Sequence, residues 1–132
     1  MFPPMISCQQ VTRAIRMNKG HIHMPVKNRD EPPQKVKVGL VGQGLVGPSH
    51  FKGYQTHANA EVTAVCDLSE ERAKAFANAN GIEAVYTSYE AMLEQADINT
   101  VDLATPTFLH VPMTQQAAEA GKHVHCEKPF CR

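Results

Sequence analysis

Gly42-Gln43-Gly44-Leu45-Val46-Gly47 is a run with glycine at its first, third and sixth places, and Asp67 follows 20 residues after its last glycine. Residue types at this spacing suit the binding of a dinucleotide. Gly42 permits a tight turn, Gly44 lets the backbone approach a pyrophosphate with no side chain in the way, and Gly47 lets a helix pack closely on a strand. Free amides at the start of that helix would face the phosphates. Asp67 can accept hydrogen bonds from the adenosine ribose hydroxyls, and its charge repels a 2′-phosphate, which favours NAD over NADP. Arg72, one turn further on, can offset that charge or stack on adenine. The plain alternatives are a carboxylate that caps the next helix and a solvated helix arginine.

Two other clusters carry chemistry. Thr105-Pro106-Thr107 with His110, and Glu127-Lys128-Pro129, each follow a short apolar run and so fall at the carboxyl end of a strand. His110 either faces a ligand or packs at a helix start, and His50 is expected to pack. His123 and His125 project to one face of a strand, a spacing that can bind metal and that His21 and His23 repeat, but the sequence offers no evident third ligand. No metal is therefore expected. The four cysteines, Cys8, Cys66, Cys126 and Cys131, form neither a disulfide framework nor a CxxC pair, which implies reduced thiols in a cytoplasm. Cys66 and Cys126 alternate with valine and are expected in the core.

These residues need a scaffold, and the pattern supplies one. From Lys35 an apolar run over 36–41 reads as a buried parallel strand, and 45–57 as a helix with Pro48 in its first turn. A second strand is predicted over 62–67. The next helix is opened by Ser69 with Glu70 and Glu71 in its first turn, and is stopped by Gly81. There follow a strand over 84–86, a helix over 89–95 opened by Ser88, a strand over 100–104, a helix over 110–120 closed by Gly121, and a strand over 123–126. Alternating β and α elements with right-handed crossovers imply an α/β fold, a doubly wound parallel sheet. In the order 3-2-1-4-5, strands one and four flank the switch point, so all the clusters named above converge on one crevice.

Composition bounds the rest. The chain has 132 residues, 42% of them hydrophobic, with 13 basic and 13 acidic side chains. No apolar stretch approaches the roughly 20 residues of a membrane span. Residues 1–29 hold five basic side chains and no acid, which leaves eight basic against thirteen acidic in the remainder. An acidic body has no general field for a phosphate backbone, so no nucleic-acid partner is expected. Residues 1–34, with Pro3, Pro4, Pro25, Pro32 and Pro33 and no apolar period, are expected to be a flexible extension, and 35–132 the folded domain.

The ordered combination of glycine loop, Val65-Cys66-Asp67, Ala104-Thr105-Pro106-Thr107 with His110, and Gly121-Lys122-His123-Val124 leading into Glu127-Lys128-Pro129 resembles the Gfo/Idh/MocA (glucose-fructose oxidoreductase and inositol dehydrogenase) family over residues 35–132. Thr107 stands where many members have Asn, and Ser88 where Asp is common. The resemblance implies a Rossmann NAD(P)-binding domain in which Lys128 lies beside the nicotinamide ribose and assists proton transfer, as the catalytic residue. It also implies that Glu127 and Pro129 shape that turn, and that the Lys128–Pro129 bond is cis. Further implied are an oxidoreductase acting on a secondary alcohol of a sugar, cyclitol or related polyol, a homo-oligomer, and a second α+β substrate domain beyond Arg132. On that reading the chain alone is expected to bind dinucleotide weakly without turnover. The other reading is a non-catalytic dinucleotide sensor or a subunit that lends its domain to a partner.

Overall fold

A computed structural model describes residues 35–131; the expected extension over 1–34, with His21 and His23, lies outside the described residues, as does Arg132. Five strands, β1 (Val36–Val41), β2 (Ala60–Cys66), β3 (Ala84–Tyr86), β4 (Thr100–Leu103) and β5 (His123–Cys126), form one sheet in the order β3-β2-β1-β4-β5. Every pairing is parallel. Four helices, α1 (Gly47–Gln55), α2 (Glu70–Asn80), α3 (Tyr89–Gln95) and α4 (Thr107–Glu119), connect the strands.

The local signals act where the sequence put them. Ser69 stands extended at the start of α2 and its hydroxyl accepts the Arg72 amide at 3.3 Å, while Gly81 closes the helix at φ 70°. A cap of this kind is worth about 1 kcal/mol. Ser88 opens α3 in the same way, accepting the Ala91 amide at 3.2 Å. One helix begins earlier than the pattern suggests: α4 starts at Thr107, not at 110, because Pro106 already holds the φ of −56° that leads into a helix. Pro112 then sits inside α4, near its start.

The sheet is covered on both faces. On one, Val38, Leu40, Val62 and Val65 pack with Phe51 of α1 and Ala77 of α2. On the other, Val41, Ala64, Cys66, Val101 and Leu103 pack with Met92 of α3 and Met113 of α4. Strict alternation would put Val62 on the face of Ala64 and Cys66. A bulge prevents this, since the register steps from Val38 opposite Val62 to Gly39 opposite Ala64 and leaves Thr63 as the extra residue. Its hydroxyl donates to the Asp97 carbonyl at 3.0 Å. Among the described residues no helix is long and apolar enough to cross a membrane.

Candidate functional site

The glycine turn is wedged between β2 and β4. Gly42 has φ +90°, its amide donates to the Cys66 carbonyl at 2.9 Å, and a Cβ there would lie 2.6 Å from the Ala104 carbonyl oxygen. A Cβ on Gly47 would lie 2.1 Å from the Gly42 oxygen, so the close approach expected of the third glycine is made to the turn itself. Around the Cβ position of Gly44 there is nothing within 4 Å. Helix α1 begins after Val46 with no side-chain cap and no acid in its first turn. Pro48 has no N–H and the Ser49 amide already donates to the Val46 carbonyl at 2.9 Å, so within the first turn the Gly47 amide is the one left to an anion. Leu45 is 98% exposed and Val46 partly so, whereas Gln43 is buried with its amide nitrogen donating to the Leu40 carbonyl at 2.8 Å and its Oε1 without a hydrogen-bond partner.

Asp67 directly follows β2, which runs over Ala60–Cys66 rather than 62–67, and is buried beside this turn. Its Oδ2 accepts the Gln43 amide at 3.0 Å and its Oδ1 the Ser69 amide at 2.9 Å, which ties the glycine loop to the start of α2. Arg72 reaches both oxygens at 3.3 Å. The carboxylate thus holds the N-cap residue, while the cap of α2 itself is the Ser69 hydroxyl. Each oxygen keeps lone-pair capacity for a further donor. Arg72 offsets its charge, one of the two parts expected of it.

The clusters after β4 and β5 meet through His110. The ring is 1% exposed, with Nδ1 2.9 Å from the Pro129 carbonyl and Nε2 2.7 Å from the Thr105 carbonyl. Of the two alternatives for His110, the structure shows the packed arrangement: its place in the first turn of α4 turns the ring inward, between the two loops. Thr105 is half-buried with its hydroxyl unpartnered, Pro106 is exposed, and Thr107 is the first residue of α4. Glu127 continues the ladder, its amide donating to the Leu103 carbonyl at 3.1 Å, and its Oε2 accepts the Lys128 amide at 3.1 Å. Lys128 and Pro129 are exposed, and the bond between them is cis.

His50 does more than pack. Its Nδ1 lies 2.9 and 3.0 Å from the oxygens of Asp102, and its Nε2 lies 2.9 Å from Glu127 Oε1. Burial works against a charged ring, but the bonds and charges of Asp102 and Glu127 outweigh it and raise the pKa of His50 above 6.5. Through this ring the helix that carries the glycine loop is joined to the turn that carries Lys128. Asp102 itself, fully buried on β4, went unnoticed in the sequence because it is enclosed in the run Thr100-Val101-Asp102-Leu103. Also missed were Leu68, Phe108 and Phe130, large apolar side chains left exposed just beyond β2, β4 and β5. Apolar residues directly after strand ends were the available signal.

The glycine turn, Asp67 and the lysine turn thus lie along the carboxyl edge of one doubly wound sheet, the architecture of a dinucleotide-binding α/β domain. The match over residues 36–132 to the model of the Gfo/Idh/MocA oxidoreductase family, NAD-binding Rossmann fold, shows that the chain belongs to that family. Inositol 2-dehydrogenase of Rhizobium meliloti is 38% identical over 95 residues, 72% of this chain and 28% of that protein. D-apiose dehydrogenase of Paraburkholderia graminis is 35% identical over 97 residues, 74% of this chain and 26% of that protein. Among solved structures, scyllo-inositol dehydrogenase from Lactobacillus casei with bound NAD(H) and scyllo-inositol superposes with a TM-score of 0.70 at 29% identity, over 74% of this chain and 29% of that one. The WlbA dehydrogenase from Bordetella pertussis, in complex with NADH and UDP-GlcNAcA, gives a TM-score of 0.70 at 34% identity, over 74% and 30%. The chain spans less than a third of the length of each of these relatives.

Proposed function

We propose that residues 35–132 are the cofactor-binding portion of a dehydrogenase that moves hydride between NAD and a secondary alcohol of a sugar, cyclitol or related polyol. The observation that supports this most is the joining of the glycine-loop helix to the lysine turn through His50 and Glu127, at 2.9 Å, on the edge where Asp67 also follows its strand. The residues present fit a dinucleotide: the space at Gly44 and the uncapped first turn of α1 suit a pyrophosphate, and Asp67 suits ribose hydroxyls. Leu45, Leu68 and Phe108 offer apolar surface beside that path for flat ring faces.

The nicotinamide ring, when bound, supplies the hydride acceptor or donor. The chain's own work is to bind and align. Amides of residues 44–47 hold the diphosphate, Asp67 orients the adenosine ribose, and Thr107 offers a hydroxyl at the far side of the crevice, where the Thr105 hydroxyl is buried. Lys128, held by its amide on Glu127, would bring its side-chain nitrogen to the substrate hydroxyl, accepting that proton as the neutral amine when the alcohol is oxidised and returning it from the ammonium in reduction. The relatives named above act on polyols or sugars, which supports the substrate class. On this reading the 132-residue chain, which spans less than a third of the length of those relatives, binds cofactor without turnover.

The test is NADH fluorescence titration of the chain, with Asp67→Ala as the variant. Saturable binding that Asp67→Ala weakens is the expected result, and no saturation at millimolar NADH would overturn the reading. Oxidation of an inositol by the purified chain would overturn the claim of inactivity alone.

A further inference from the structure

Helix α1 presents two different surfaces to the sheet. Phe51 goes into the apolar core over β1 and β2, while His50 and Tyr54, four residues apart and so on one face, stand over β4 and β5. There they meet Asp102 of β4 and His125 of β5. His50 Nδ1 is 2.9 Å from Asp102 Oδ1, and His125 Nδ1 is 3.1 Å from Asp102 Oδ2. The donor atoms of His50, Asp102 and His125 all lie within 4.8 Å of one another. The Tyr54 hydroxyl donates to Asp102 Oδ2 at 2.7 Å and lies 3.2 Å from His125 Nδ1. The two imidazoles are stacked with centroids 5.2 Å apart, which turns both Nδ1 atoms to the same carboxylate.

Such convergence needs a positive centre, either hydrogen on a ring nitrogen or a metal ion. We propose that His50, Asp102 and His125 form a binding site for one divalent first-row transition ion, with Zn2+ as the reference ligand. Two imidazole nitrogens with one carboxylate suit Zn2+, Co2+ or Ni2+ and not Mg2+ or Ca2+. An independent observation points the same way. The far nitrogen of His50, Nε2, sits 2.9 Å from Glu127 Oε1, the outer carboxylate that orients a metal-bound imidazole and fixes its tautomer. Access is open, because a cleft of about 570 Å³ lined by Ser49, His50, Gly53, Tyr54, His57 and His125 reaches the group from solvent. Asp102 itself is fully buried behind the two imidazoles. Of the pair His123 and His125 only His125 takes part, and its two co-ligands, His50 and Asp102, come from α1 and β4. This site lies on the α1 face of the sheet and does not depend on the dinucleotide reading.

The experiment uses the whole 132-residue chain, freed of metal with a chelator. Zn2+ is titrated by calorimetry, and Co2+ by its visible d–d absorption. One equivalent bound at micromolar concentration is expected, with a Co2+ spectrum of four- or five-coordinate nitrogen and oxygen ligation. His125→Ala removes an exposed side chain and should weaken binding at least about ten-fold while the far-ultraviolet circular dichroism is unchanged. Asp102→Asn should do the same, and His125→Ala decides the matter if that variant does not fold. A His21→Ala/His23→Ala variant should bind as the original chain does. The proposal is overturned by absence of Zn2+ and Co2+ binding below millimolar, by binding indifferent to His125→Ala, or by binding lost with His21 and His23. NADH binding is measured in parallel, so failure here leaves the dinucleotide reading to stand or fall by itself.

Discussion

The second and third glycines of the loop should respond to the same substitution in opposite ways. An alanine methyl at Gly47 falls 2.1 Å from the Gly42 oxygen, whereas carbon and oxygen ordinarily approach no closer than about 3.3 Å. The turn must open by roughly 1 Å to admit it. It has little room to do so, because Gly42 is bonded to Cys66 at 2.9 Å on one side and packed on Ala104 at the other. Overpacking costs about 1–3 kcal/mol, and contact with backbone places this case at the upper end. A loss near 3 kcal/mol is about a 100-fold change in the folding equilibrium. At Gly44 nothing lies within 4 Å and its φ is not in the left-handed region, so Gly44→Ala should change stability by no more than about 0.5 kcal/mol. Its methyl instead occupies the space reserved for the diphosphate and should weaken NADH binding about ten-fold or more. Urea unfolding followed by circular dichroism, together with NADH titration, separates the two. Equal destabilisation by both substitutions, or a Gly47→Ala chain as stable as the original, would refute the assignment of packing to one glycine and ligand clearance to the other.

His110→Ala strips a partner from the Thr105 and Pro129 carbonyls and should cost about 1–3 kcal/mol in urea unfolding, with added proteolytic sensitivity near residue 129. Asp67→Ala removes the charge that opposes a 2′-phosphate and frees Arg72, so the ratio of NADPH to NADH affinity should rise about ten-fold or more in parallel titrations. Burial, with the charges of Asp67 and Glu90, pushes the Cys66 thiol up to about 12, against an ordinary value of 9. At pH 8 its thiolate fraction is then roughly a thousand-fold below that of an unfolded chain, and iodoacetamide should spare Cys66 in the folded protein and label it in urea, as read by mass spectrometry.

Whatever depends on near neighbours in the chain was legible beforehand. Ser69 and Gly81 bound α2, Ser88 opens α3, and β3 and β5 lie over 84–86 and 123–126 as their short β-branched and aromatic runs indicate. The glycine run and Asp67 were legible because turn geometry sets their spacing. Features that depend on distant partners were not. The hydroxyl of Thr63, the bulged residue, finds its acceptor at Asp97, 34 residues away, and His110 meets the Pro129 carbonyl 19 residues on.

Asp102 explains why the least legible residues matter to the most legible ones. A strand position flanked by Val101 and Leu103 would ordinarily be apolar, and the helix above it would be held by contact area alone, free to roll a little. With a fully buried carboxylate there, loss of its partners would cost about 3–5 kcal/mol, so α1 must keep His50 and Tyr54 directly over β4. Directional bonds of 2.7 to 3.0 Å fix rotation about the helix axis as apolar packing does not. Rotation of α1 is what would swing the amides of residues 44–47 away from the crevice. The second nitrogen of His50 then carries the same constraint to Glu127 and the amide of Lys128. A buried charge that contributes little net stability is therefore what sets the loop at one end of the crevice and the lysine turn at the other in mutual register.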